Sequence, residues 1–205
     1  MKIFDLVINQ EAIDRLRNAV SSKDTVQGYT HNFYRYPARF SPKFVREVIQ
    51  IFSKPGDVVL DPFVGGGTSL VEAIANNRHS IGFDVSPIAS FVSKVKTTIL
   101  TETEVKEILE WSVPVLSKRL VGYKPKMTYY DDEGYLNNLP WRIKASIEII
   151  LNEINSLSSV KAQSFVKCVV LRTAQWAIDC REKIPTATAF RKMFHQNLLA
   201  FSKGL

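Results

Sequence analysis

Val58-Val59-Leu60-Asp61-Pro62-Phe63-Val64-Gly65-Gly66-Gly67-Thr68 is the stretch that decides the fold. Three aliphatic residues, closed by Asp-Pro and followed by three glycines, read as a short buried strand running into a loop too tight for side chains. Thr68-Ser69-Leu70-Val71-Glu72-Ala73-Ile74-Ala75 then has the composition of a helix, with Thr68 or Ser69 placed to cap it. Such a unit has a chemical use. Glycines admit a ligand to the backbone, and the first turn of the helix offers unpaired N–H groups and a partial positive charge to a carboxylate or phosphate. Taken alone, the glycines also suit a tight turn that binds nothing.

Arg78-His79-Ser80-Ile81-Gly82-Phe83-Asp84 is a second short strand pattern, ending in an acid about twenty residues after the loop. At that point of a βαβ unit an acid lies at the carboxyl end of the neighbouring strand, where it accepts hydrogen bonds from both hydroxyls of a ribose. Strand, glycine loop, helix, strand and acid together describe half of a nucleoside-cofactor site.

These residues carry a resemblance. Asp61-Pro62-Phe63-Val64-Gly65-Gly66-Gly67-Thr68, followed by Gly82-Phe83-Asp84-Val85-Ser86-Pro87, resembles the cofactor half of the DNA methyltransferases that make N4-methylcytosine or N6-methyladenine. Upstream, the run from His31-Asn32-Phe33-Tyr34-Arg35-Tyr36-Pro37-Ala38 to Phe44 is similar to the family segment that closes over the methionine end of S-adenosyl-L-methionine. The likeness covers about residues 28 to 96. It implies an α/β fold, with a partial Rossmann-like methyltransferase sheet of few parallel strands followed by a helical region. It also implies S-adenosyl-L-methionine as cofactor and DNA as partner. Residue by residue, Asp84 would hold the ribose hydroxyls, with Val85 beside it. Phe63, Gly65 and Gly67 would present the loop backbone to the methionine part, Thr68 would reach its carboxylate, and Asp61 would lie near its ammonium group. Pro62, Gly66, Tyr36, Pro37 and Ala38 complete the expected cofactor site. The family loop is usually Gly-X-Gly-Thr, so Gly66 stands at the variable position.

The rest of the chain is consistent with that expectation. Its 205 residues are 45% hydrophobic and 23% charged, the balance of a folded soluble protein. No run approaches the roughly 18 apolar residues of a membrane span, and residues 1 to 20 carry acids unlike a signal peptide. Cys168 and Cys180 lack metal-ligand spacing and read as buried structural thiols, which fits a reducing cytoplasm. A formal net charge of +7 favours a polyanionic partner.

Three segments are expected: an N-terminal helical lead-in over 1–27, a cofactor-binding half-domain over 28–100, and a helical region over 101–205 that contacts a partner or DNA. In the first, Ile13, Leu16 and Val20 share a helix face. In the second, a helix runs from Ser41-Pro42 to Phe52, and another opens at Ser86-Pro87 with Ile88, Phe91, Val92 and Val95 as its buried stripe. Lys94 and Lys96 read as solvated charges at its end. In the third, Thr101-Glu102-Thr103-Glu104 caps a helix to about Leu120 that Pro114 should kink or split. Tyr123, Tyr129, Tyr130 and Tyr135, with Lys118, Arg119, Lys124 and Lys126, lie in an irregular stretch that either packs on the domain or offers a stacking and phosphate-binding surface. Asp131-Asp132-Glu133 reads as solvated. Helices are expected over 139–157, 159–181 and 186–199.

Two absences qualify the enzyme reading. Only two strands stand out, whereas a doubly wound sheet wants five or more. The Asp/Asn/Ser-Pro-Pro-aromatic motif with which the family holds its target amine is missing; Asp61-Pro62-Phe63, Ser41-Pro42-Lys43 and Ser86-Pro87-Ile88 lack the second proline. The expectation is therefore a cofactor-binding part of a methyltransferase, with no catalytic residue of its own. A partner subunit or a C-terminal half would supply the rest, through hetero-oligomerisation or self-association. The alternative is a non-catalytic DNA-binding or scaffold module; an RNA methyltransferase is a second rival.

Overall fold

The computed structural model describes residues 8–26, 28–36, 39–124, 140–179 and 183–204. Pro37, Ala38, Lys126, Tyr129, Tyr130, Tyr135, the acidic run 131–133 and Cys180 lie outside the described residues. The described chain is mixed α/β and mostly helical, and it divides into two compact units, Met1–Thr97 and Thr98–Leu205. Among the described residues no helix is long and apolar enough to cross a membrane.

The first unit holds α1 (Gln10–Ser21), a 3-10 turn (His31–Phe33), α2 (Pro42–Phe52), β1 (Val58–Asp61), α3 (Thr68–Ala75), β2 (His79–Gly82) and α4 (Pro87–Lys96). β1 and β2 pair in parallel with Val58 opposite His79 and Asp61 opposite Gly82, so both strands end at the same level. A parallel pair needs a crossover, and α3 supplies it. Asn9 caps α1 by accepting the Ala12 N–H at 2.8 Å, and Arg15 reaches Glu47 and Gln50 of α2. Pro42 occupies the first turn of α2, where its missing N–H costs nothing.

Two apolar stripes differ from the sequence expectation. In α1, Ala19 is the buried residue and Val20 is exposed. In β1 the residues alternate instead of being buried throughout: Val59 packs on Val45, Ile49 and Ala73, while Val58 and Leu60 are 58% and 61% exposed. Strand side chains alternate between faces, and the described residues cover only one face of this sheet. Ile81 and Phe83 join the bare face.

The second unit holds α5 (Glu102–Ser117), α6 (Trp141–Glu153), a 3-10 turn (Ile154–Ser156), α7 (Val160–Ile178) and α8 (Ala187–Ser202). The expected capping box at Thr101 and Glu104 forms in full. Glu104 also accepts from the Ser159 hydroxyl at 2.6 Å, which ties the start of α5 to the start of α7. Pro114 does not split α5, which continues to Ser117. Proline removes only one intrahelical bond, here in the last turns. Ile143, Ile150, Phe165, Val169, Phe190, Phe194 and Leu198 form the interior, and Cys168 is buried as expected of a structural thiol.

Candidate functional site

The site begins where β1 ends. The Asp61 carboxylate accepts the Phe63 N–H at 3.0 Å and so turns the chain out of the strand. Two backbone bonds, Phe83 N–H to Asp61 O and Val64 N–H to Phe83 O, both 2.9 Å, carry the association of the two segments past the last paired residues. Gly67 then adopts a left-handed conformation, φ +78°, and is itself the N-cap of α3. Neither Thr68 nor Ser69 caps the helix; Thr68 is its first residue and is buried, with no hydrogen bond from its hydroxyl among the described residues. A Cβ at Gly67 would lie 2.9 Å from the Ser93 Cβ, and one at Gly66 would lie 2.9 Å from the Tyr36 Cβ. Gly66 is thus a constrained position: the Tyr36 side chain rests against the loop there.

Asp84 locks this loop from the other strand. Its Oδ2 accepts the Gly65 N–H and its Oδ1 the Ser86 N–H, each at 2.8 Å. The bonds from Ser86 and Gly65 hold its carboxyl below the usual carboxylate range. A carboxylate has about four lone-pair directions, so Asp84 keeps acceptor capacity for an outside donor. The Ser86 hydroxyl caps α4 by accepting the Ala89 N–H.

Buried charges close the back of the site. Glu72, on α3, is wholly buried; it meets His31 Nε2 at 2.8 Å and accepts from Arg46 Nε and Nη2 at 2.9 and 3.2 Å. Burial pushes its carboxyl up, but the hydrogen bonds from His31 and Arg46 outweigh that and bring it below its ordinary value. The ionised carboxylate is an acceptor only, so the His31 Nε2–H donates. The segment expected to close over a ligand is therefore anchored by its first residue, with His31 and Phe33 turned inward.

Lys96 overturns its sequence reading. It is 5% exposed, and its ammonium donates to the Gly66, His31 and Tyr34 carbonyls at 2.7, 3.2 and 3.4 Å. One cation thus ties the glycine loop to the 31–36 segment, and the Thr30 hydroxyl adds a bond to the Lys96 carbonyl at 2.7 Å. The sequence held the signal: Ala89, Val92, Ser93 and Lys96 fall on one helix face. All four are buried, whereas Ile88, assigned to the stripe, is 48% exposed. A small residue is required at 93 because the glycine loop packs there, with Gly67 against Ser93. Glu72 and Arg46 gave no such warning, since each stands as an ordinary helix-surface charge in the sequence.

Tyr36, Gly65, Gly66, Gly67, Thr68 and Asp84 are brought together. Asp61 and Pro62 lie at the strand end of the loop. Phe63 and Val85 are 85% and 100% exposed and flank it, each with an apolar surface turned to solvent. The Thr68, Ser69 and Leu70 N–H groups open the helix without intrahelical acceptors. Among the described residues no cluster of His, Cys, Asp and Glu can hold a metal ion. The arrangement suits an organic ligand with an anionic group for the helix terminus and hydroxyls for Asp84.

A family model described as DNA methylase matches residues 12–90. The type II methyltransferase M.MvaI of Kocuria varians is 26% identical over 197 residues, covering 84% of this chain and 41% of that protein. The type II methyltransferases M.MjaII of Methanocaldococcus jannaschii and M.BsoBI of Geobacillus stearothermophilus are 32% and 36% identical, each over 40% of this chain and covering 15% and 16% of those proteins. The chain therefore spans well under half the length of these relatives. No solved structure gives a significant match.

Proposed function

Because residues 12–90 match a DNA methylase family model, we propose that the chain is the S-adenosyl-L-methionine-binding part of a DNA methyltransferase acting on an exocyclic amine of cytosine or adenine. The observation that carries this reading is the 2.8 Å bond from the Gly65 N–H to Asp84, which sets a helix N-terminus, a strand end and an ionised acid around one loop. That set fits the cofactor: the free lone pairs of Asp84 for the ribose hydroxyls, the α3 N-terminus and Thr68 hydroxyl for the methionine carboxylate, Asp61 for the ammonium, and Phe63 and Val85 for the adenine faces. When bound, the cofactor supplies an electrophilic methyl group on a sulfonium. This chain's own residues hold and orient it; none is assigned to catalysis.

The catalytic loop and the remaining strands of a Rossmann-like sheet come from the rest of the protein or from a second subunit. Two facts support this. The bare face of the sheet exposes Val58, Leu60, Ile81 and Phe83, more contiguous apolar surface than a solvated sheet tolerates. The second edge of β1 also lacks a partner strand among the described residues, and such an edge is a template for a further strand.

Calorimetric titration of S-adenosyl-L-methionine into the full chain tests the reading. Saturable binding is expected, and the folded Asp84→Ala variant should bind at least about tenfold more weakly, the loss of about 1.4 kcal/mol. Absence of binding by the folded wild-type chain would overturn the reading and leave the scaffold alternative.

A further inference from the structure

The reading above gives the helical unit no task. We propose that the groove formed by the C-terminal end of α5 and the N-terminal ends of α6 and α8 binds the phosphate backbone of DNA. The proposal rests on that reading only in taking DNA as the polyanion; the groove needs no cofactor.

The groove has a volume of about 850 Å³, and among its described lining residues are Lys118, Arg119, Arg142 and Arg191 but no acid. Lys118 is paired with Glu153. The other three have no carboxylate within ion-pair distance among the described residues. Arg142 lies over the Trp141 ring, 5.2 Å from guanidinium carbon to ring centroid, and Trp141 is 48% exposed. A guanidinium stacked on an exposed indole presents a cation and an aromatic face side by side, the pair that suits a phosphate and an adjoining sugar or base.

Arg191 adds a second line of argument. Its guanidinium donates to the Leu116 and Lys118 carbonyls at 2.9 and 2.7 Å and, through Nε, to the Ser146 hydroxyl at 3.3 Å. A half-buried charge held by neutral acceptors is poorly compensated, and burial pushes its pKa down. An anion seated in the groove would supply the missing counter-charge. α6 contributes as well: its N-cap is Pro140, with no side-chain cap, so the Trp141 and Arg142 N–H groups at its start lack intrahelical acceptors. Cations spread along an open groove favour a chain of phosphates over one small anion. The exposed indole favours a nucleic acid over an acidic peptide.

The test is fluorescence anisotropy of a labelled DNA duplex titrated with the full chain at several salt concentrations. Binding should weaken linearly in log–log salt plots. The Arg119→Glu/Arg142→Glu variant should bind at least about tenfold more weakly, with a slope shallower by about one for each phosphate it no longer neutralises. A neutral Arg119→Gln/Arg142→Gln pair, with an unchanged far-ultraviolet circular dichroism spectrum, replaces it if the glutamates disturb folding. Asp84→Ala should leave DNA affinity unchanged, so failure of the cofactor site and failure of the groove are read separately. Unchanged affinity and slope in the groove variants, no DNA binding at low salt, or equal displacement of DNA by polyglutamate would each overturn the proposal.

Discussion

The two units solve the problem of a core in opposite ways. In Thr98–Leu205 the described helices enclose Phe165, Phe190, Phe194 and Leu198, and among the described residues the buried polar ones are hydroxyls, Ser112, Ser146 and Thr173. Hydroxyls return their hydrogen bonds to their own helix, as Thr173 does to the Val169 carbonyl at 2.7 Å. In Met1–Thr97 the buried polar residues include Glu72, Lys96 and His31, while Leu60, Ile81 and Phe83 face solvent. Apolar helices can close on one another and need nothing further. A two-stranded sheet leaves one face over, and its charges go inside because they hold a loop in place. The first unit is built around a glycine loop, the second around a core.

The sharpest way to break that contrast is to empty the helical core. Phe190→Ala should cost about 3–5 kcal/mol, as expected for a wholly buried aromatic. Trp111, Trp141 and Trp176 all lie in this unit, so a urea titration followed by tryptophan fluorescence reads the loss there. A small shift would mean that the packing is loose.

Glu72→Gln comes next. It strands Arg46 and unpairs His31, at a cost near 3 kcal/mol, below the full buried-pair value because Arg46 is 41% exposed. Faster amide exchange in α3 measures it. The variant also tests pH dependence. A carboxylate depressed in the fold stabilises above its unfolded value of about 4.3, and that contribution is lost as pH falls through the folded value. The wild-type chain should therefore lose protection in α3 below about pH 4 more steeply than Glu72→Gln. Parallel curves would remove Glu72 from the acid response.

Gly66→Ala should cost about 1–2 kcal/mol by pushing Tyr36 off the loop, with cofactor affinity falling in the same calorimetric experiment as for Asp84. Unaltered affinity would show that the packing of Tyr36 has no bearing on the site. The smallest effect belongs to the bare face. Leu60→Lys should change stability by no more than about 0.5 kcal/mol, yet abolish assembly with any chain that covers the sheet. A large loss of stability in the isolated chain would mean that Leu60 is covered after all.

How much of this was legible differs from element to element. Helix boundaries followed from caps and stops: Ser41-Pro42, Ser86-Pro87 and the Thr101–Glu104 box act within a few residues of chain, so local sequence contains the whole interaction. The glycine loop and Asp84 were legible for a similar reason, because a strand–loop–helix–strand order leaves few ways to place them. Which side of a helix faces inward was less legible. The hydrophobicity of Ile88 and Val20 suggested burial, but Ala89, Ser93 and Ala19 are the buried residues, and at Ser93 the glycine loop packs closely.

The chain's local chemistry settles where its strands, loop and helices begin and end and which acid follows the second strand. Partners distant in sequence settle the rest: Lys96 reaches a carbonyl 65 residues away and Glu72 a histidine 41 away. A lysine or a glutamate reads as a solvent residue until a fold surrounds it with donors and acceptors that offset its desolvation. That surrounding exists only once α2, α3, α4 and the 31–36 segment have packed, which is why the charges that hold the site were visible only in three dimensions.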